Sequence, residues 1–193
     1  MAHAGKARVL TKAQFDHFMA ESAKTHQAEL LQCVACLGYY AGLRVGTIAQ
    51  LALNDVIDYD GKVKEVVHLS GDIMKGGKQS VAYFSHPRLI SAITTYVRNS
   101  RKTKKVANLL VTRKNTAYTP KSLSALIEKK FKDYGFAGCS MHSFRRSFAS
   151  QVINKGGDIT LLRSLMNHSS ITTTAIYVEN DPIALQRMVN TLD

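Results

Sequence analysis

One change of pattern constrains this chain more than anything else in it. From Asp55 to Ser85 it is rich in β-branched and aromatic residues, in the runs Val56-Ile57, Val66-Val67-His68-Leu69 and Val81-Ala82-Tyr83-Phe84. Asp60-Gly61 and Gly76-Gly77 separate these runs, and glycine-bearing breaks of this kind are hairpin signals. The stretch therefore predicts a small antiparallel sheet of three strands. On both sides of it the pattern is helical. Thr11 with Gln14 three residues later is a capping box, each side chain satisfying an orphan backbone N–H, and it opens a helix to about Ala23. Apolar spacing predicts further helices over about 26–41, 46–53, 88–100, 121–134, 143–154, 159–166, 171–178 and 183–192. Asp181-Pro182 gives the last an N-cap and a proline at its first position. The expected fold is α+β and mainly helical, with one small three-stranded antiparallel sheet, in a single domain spanning 1–193.

Charge narrows the partner. Against 14 Asp and Glu the chain carries 26 Lys and Arg, a formal net charge of +12 that attracts polyanions. Basic residues cluster at Arg101-Lys102-Thr103-Lys104-Lys105, Arg113-Lys114 and Lys129-Lys130-Phe131-Lys132, so nucleic acid is the leading partner class. No run approaches the roughly 18 to 20 apolar residues of a spanning helix, and Met1 to Leu10 has no signal-peptide pattern; the expectation is no membrane partner and a cytoplasmic location. Three cysteines make no disulfide framework. Cys33 and Cys36 form a C-x-x-C, but within an apolar run and with no second ligand pair, so core packing is the reading and no metal is expected.

Several polar motifs stand in order. Gly42-Leu43-Arg44-Val45-Gly46 comes first, Met74-Lys75-Gly76-Gly77-Lys78-Gln79 next, then His142-Ser143-Phe144-Arg145, His168-Ser169-Ser170, and Thr172-Thr173-Thr174-Ala175-Ile176-Tyr177. This ordered set, with Tyr177 nine residues after His168, closely resembles the catalytic domain of the tyrosine recombinase family, also called phage-type integrases. H-x-x-R alone is common by chance; the ordered set is specific, and the resemblance runs from about Val9 to about Glu179. It implies site-specific cleavage and rejoining of double-stranded DNA through a 3′-phosphotyrosine bond to Tyr177. His142 is then the proton acceptor, His168 a hydrogen-bond donor in the transition state, and Lys75, with Lys78 in reserve, the acid that protonates the leaving 5′-oxygen. The resemblance also implies self-association on DNA, as a synaptic tetramer.

The residues support this chemistry on their own terms. H-x-x-R on a helix puts His142 and Arg145 one turn apart on one face, so both reach a single phosphate. Planar guanidinium groups donate paired hydrogen bonds to phosphate oxygens, and Arg44 with Arg145 makes a clamp for charge building in the transition state. The flanking Gly42 and Gly46 suggest backbone held close to that phosphate. A tyrosine hydroxyl has an ordinary pKa near 10, so its phenolate at pH 7 costs about 4 kcal/mol and needs cations or a base nearby. Exchanging one phosphodiester for another is nearly isoenergetic, so no cofactor is expected. No P-loop pattern and no carboxylate cluster for a two-metal site is present.

Three positions depart from the family pattern: Thr47 where an acidic residue is common, Asn167 before His168 in place of glycine, and Arg146 where histidine is frequent. The chain also begins almost at the catalytic domain, without an N-terminal DNA-clasping domain, as in a small recombinase or an excised fragment. Competing readings are a type IB topoisomerase relaxing DNA as a monomer, a DNA-binding regulator that has lost catalysis, and, more distantly, a metal-dependent nuclease.

Overall fold

The protein is described by a computed structural model covering residues 7–74, 77, 79–101 and 105–166. Helix α1 (Lys12–Ala23) opens on the capping box expected of Thr11 and Gln14, with both reciprocal bonds made. Helix α2 (Ala28–Tyr40) is the centre of the molecule. Leu30, Leu31 and every residue from Cys33 to Tyr39 are buried, the all-round burial of a core helix. Helices α1, α5 (Pro87–Asn99) and α7 (Met141–Asn154) pack around it. An aromatic cluster of Phe15, Phe18, Phe131 and Phe144 fills the space between α1, α7 and α6 (Pro120–Asp133). Cys33 and Cys36 are fully buried, as core residues.

The close approach of α7 to α2 depends on Gly38. A Cβ there would stand 2.7 Å from Phe144 Cβ, so any side chain pushes α7 away. Smaller elements complete the body: α3 (Val45–Gln50), α4 (Leu53–Val56) and α8 (Ile159–Leu165). No helix of the described residues is long and apolar enough to cross a membrane.

Two expectations are corrected. Among the described residues the sheet has two strands, β1 (Val66–Leu69) and β2 (Ser80–Tyr83), antiparallel with Val66 opposite Tyr83 and Leu69 opposite Ser80. The third predicted strand shrinks to one bridge, Ile57 to Val63, across the Asp60-Gly61 turn. Val56 belongs instead to α4, whose start is fixed by the Asp55 carboxylate accepting the Ala52 N–H at 3.0 Å. The helix predicted over 46–53 likewise breaks at Leu51. There the backbone extends and pairs with a distant segment, Leu109 N–H donating to Leu51 O and Leu53 N–H to Ala107 O. The β1–β2 connection is longer than a tight turn and contains a 3-10 turn, Gly71–Ile73. The helices predicted over 171–178 and 183–192 lie outside the described residues.

Candidate nucleic-acid site

The site is built where α2 ends. Gly42 takes a left-handed conformation, φ +63°, and Leu43 N–H reaches back to the Leu37 carbonyl, closing α2 with a glycine cap. The chain then turns into α3, with Arg44 at its N-cap position. Gly42 is required by more than its backbone angle: a Cβ would lie 2.5 Å from Phe148 Cδ1 on α7. The backbone at Gly42 is thus held close to α7. Gly42 meets a phenyl ring, and Gly46 has nothing within 4 Å of its Cβ position.

His142 and Arg145 both stand on α7, as their spacing predicts. Ser140 caps the helix: its hydroxyl accepts the His142 N–H at 3.2 Å, while its own N–H donates to Ser143 Oγ at 3.1 Å. Arg145 is only 4% exposed. Its guanidinium donates to the carbonyls of Gly42 and Met166, joining the end of α2, α7 and the end of α8. These bonds fix the plane of the group. Leu43, Arg44, Val45, Ser124, Ser140, Met141, His142 and Arg145 line one cavity of about 120 Å³. Three of the predicted site residues, Arg44, His142 and Arg145, thus meet in one place. Lys75, His168 and Tyr177, with the reserve Lys78, lie outside the described residues.

Electrostatics in the cavity are one-sided. Loss of solvent around the His142 ring, followed by the positive charges of Arg145, Arg146 and Arg44, lowers its pKa from the usual 6.5. The ring is consequently held neutral near pH 7 and able to accept a proton. Thr47, at the position where an acidic residue is common, is 3% exposed and contacts the segment leading toward Lys75, through the Ile73 carbonyl at 3.5 Å and Met74 Sδ at 3.7 Å. Arg146 donates to the Ala7 carbonyl, and Leu10 N–H donates to Ser147 Oγ at 2.7 Å. The entering segment is therefore pinned to the helix that carries His142 and Arg145.

The basic clusters divide by use. Arg101 supports its own loop, donating to the carbonyls of Val106 and Asn108. Lys129 and Lys130 pair with Asp133 at 2.9 and 3.8 Å. Arg113 and Lys114 are exposed at the tip of a turn closed by the Thr112 and Thr116 hydroxyls, 2.8 Å apart. Sequence reasoning missed Ser124 and Ser140 on the cavity wall. Ser140 was legible as an N-cap three residues before Ser143; Ser124 carries no signal that separates it from other helical serines.

A model of the phage integrase family matches residues 8–182, and the chain belongs to that family. It is similar to the tyrosine recombinase XerC of Corynebacterium glutamicum, 27% identical over 175 residues, covering 88% of this chain and 54% of that protein. Tyrosine recombinase XerA of Pyrococcus horikoshii is 30% identical over 148 residues, 76% of this chain and 49% of that protein. The chain spans about half the length of the curated relatives it matches. Among solved structures, XerA recombinase superposes with a TM-score of 0.75 at 21% identity, over 96% of this chain and 65% of that one. The XerH site-specific recombinase bound to difH substrate gives 0.72 at 19%, over 97% and 55%. These likenesses establish the fold.

Proposed function

We propose that the chain is the catalytic domain of a site-specific DNA recombinase that cleaves and rejoins double-stranded DNA through a 3′-phosphotyrosine bond to Tyr177. The observation that carries this reading is the meeting of Arg44, His142 and Arg145 around one small cavity, from elements a hundred residues apart in sequence. Two guanidinium groups and an imidazole in a shared space suit a phosphodiester better than a neutral ligand.

The reaction follows from these groups and the order of motifs. The Tyr177 hydroxyl attacks the phosphorus and its proton passes to His142, which its lowered pKa leaves neutral near pH 7. Charge gathering on the non-bridging oxygens is met by Arg44, Arg145 and a hydrogen bond from His168. The bond to the 5′-oxygen breaks as Lys75 donates a proton to it. Rejoining runs the same steps backwards, a 5′-hydroxyl displacing Tyr177. One phosphodiester is exchanged for another, so neither nucleotide cofactor nor metal is needed. Exchange between two duplexes requires four such domains on DNA, acting in integration, excision or inversion within the cytoplasm.

The test is incubation with a nicked DNA site from which the released fragment diffuses away. A covalent protein–DNA adduct that persists in chelator and vanishes in Tyr177→Phe is the expected result. Adduct formation by Tyr177→Phe means that the nucleophile lies elsewhere, and relaxation of supercoils without exchange between two defined sites assigns a topoisomerase instead.

A further inference from the structure

The cavity that holds Arg44, His142 and Arg145 has a wall these three residues do not supply. It comes from α6, and its polar member is Ser124. The buried stripe of α6 is Leu123, Ile127 and Phe131, and Ser124 follows at the edge of that stripe, half-buried. Alanine or leucine is the better helix former there by intrinsic propensity, and the one bond the hydroxyl makes within α6 goes to the exposed carboxylate of Glu128. At about 120 Å³ the cavity is well below the roughly 300 to 1,000 Å³ of small-molecule pockets. Its occupant is a compact group. Two arginines make that group anionic.

We propose that Ser124 donates a hydrogen bond to the phosphate held by Arg44, His142 and Arg145, as a further phosphate-contacting residue of the site. The proposal deepens the recombinase reading and rests on it for the identity of the phosphate as one in DNA. The Ser124 hydroxyl donates to Glu128 Oε1 at 2.8 Å, one turn along α6. A serine hydroxyl changes acceptor by turning about one torsion between staggered wells. An arriving phosphate offers charged oxygens on the cavity side, and the Ser124 O–H turns from the exposed carboxylate of Glu128 to donate to a phosphate oxygen. Arg44 reaches the cavity from the α2–α3 junction and His142 and Arg145 from α7, so a donor on α6 adds a third direction of support. A phosphate gripped from three elements is fixed in orientation as well as in place, which is what in-line attack requires.

Inorganic phosphate, titrated against the NMR signal of the His142 ring, tests this without DNA or cleavage. Ser124→Ala, which improves helix propensity and leaves the fold in place, weakens phosphate binding by about 10-fold or more, the scale of one hydrogen bond to a charged group. Ser124→Thr keeps the hydroxyl and restores binding to near the wild-type value. Equal binding by wild-type and Ser124→Ala overturns the proposal, as does Ser124→Thr binding no better than alanine, or no response of the wild-type ring. The nicked-DNA assay on the wild-type chain decides the recombinase reading separately: phosphate binding that depends on Ser124, with no adduct, leaves this contact standing and removes the proposed reaction.

Discussion

The Arg145 guanidinium donates to the carbonyl oxygen of Gly42, a residue 103 positions earlier in the chain. With its second bond, to Met166 O, it braces the end of α2 against the end of α8. A residue placed by its motif as a phosphate clamp is also a structural tie. Lysine carries its donors on one nitrogen at the end of a flexible stem and lacks the planar fork that reaches the two carbonyls from separate nitrogens. Arg145→Lys is therefore predicted to lose about 2 to 4 kcal/mol of stability, from buried carbonyls left without a donor, in addition to its activity. Urea unfolding measures this, and an unchanged midpoint contradicts the bracing role.

Gly42 is predicted to tolerate no side chain. Its left-handed backbone costs an ordinary residue about 1 to 2 kcal/mol, and an added Cβ meets Phe148 at 2.5 Å. Gly42→Ala loses about 2 kcal/mol or more, and combining it with Phe148→Ala removes the collision but leaves the backbone cost. A double-mutant cycle with zero coupling would show that the ring is not what Gly42 avoids.

His142 gives a pH signature. Its folded-state pKa is lowered, so above the ordinary value of 6.5 the ring is neutral in both states and costs nothing. As pH falls through 6.5 the unfolded chain takes up the proton first, and stability declines until the folded-state pKa is passed. DNA reverses the sign of the local field, so a phosphate in the cavity raises the His142 pKa. Ring titrations by NMR, free and with DNA bound to Tyr177→Phe, are predicted to show an upward shift on binding; a fall or no change places the phosphate elsewhere.

Thiol chemistry checks the core. Burial pushes the Cys33 thiol well up, and Cys36 up to about 12, so neither is a thiolate at neutral pH. Cys139 is only partly buried. Maleimide is predicted to modify Cys139 alone in native protein and all three cysteines in denaturant. Rapid native labelling of Cys33 contradicts its buried place in α2.

Legibility in the sequence followed the range of the cause. The cap of α1 was readable because Thr11 and Gln14 are three residues apart, and His142 and Arg145 were readable as a pair for the same reason. The break at Leu51 was not, because what breaks the helix is pairing with Ala107 and Leu109, more than fifty residues on. The strand expected at Val56-Ile57 failed to the Asp55 cap, a local cause that β-branched composition masked. Arg145 as a brace, and Ser124 as part of the cavity, depend on which elements meet, and no spacing within α6 or α7 encodes that.

The tie between Arg145 and Gly42 also sets an order in time. A ribosome adding roughly 5 to 20 residues per second releases Arg44 several seconds before Arg145, and Met166 later still. Until α7 has been made and has docked against α2 at Gly38, the early arginine faces no partner wall and the 120 Å³ cavity has no second side. A nascent chain is thus strongly cationic before its cavity is built, and the two properties join only when Met166 has been added.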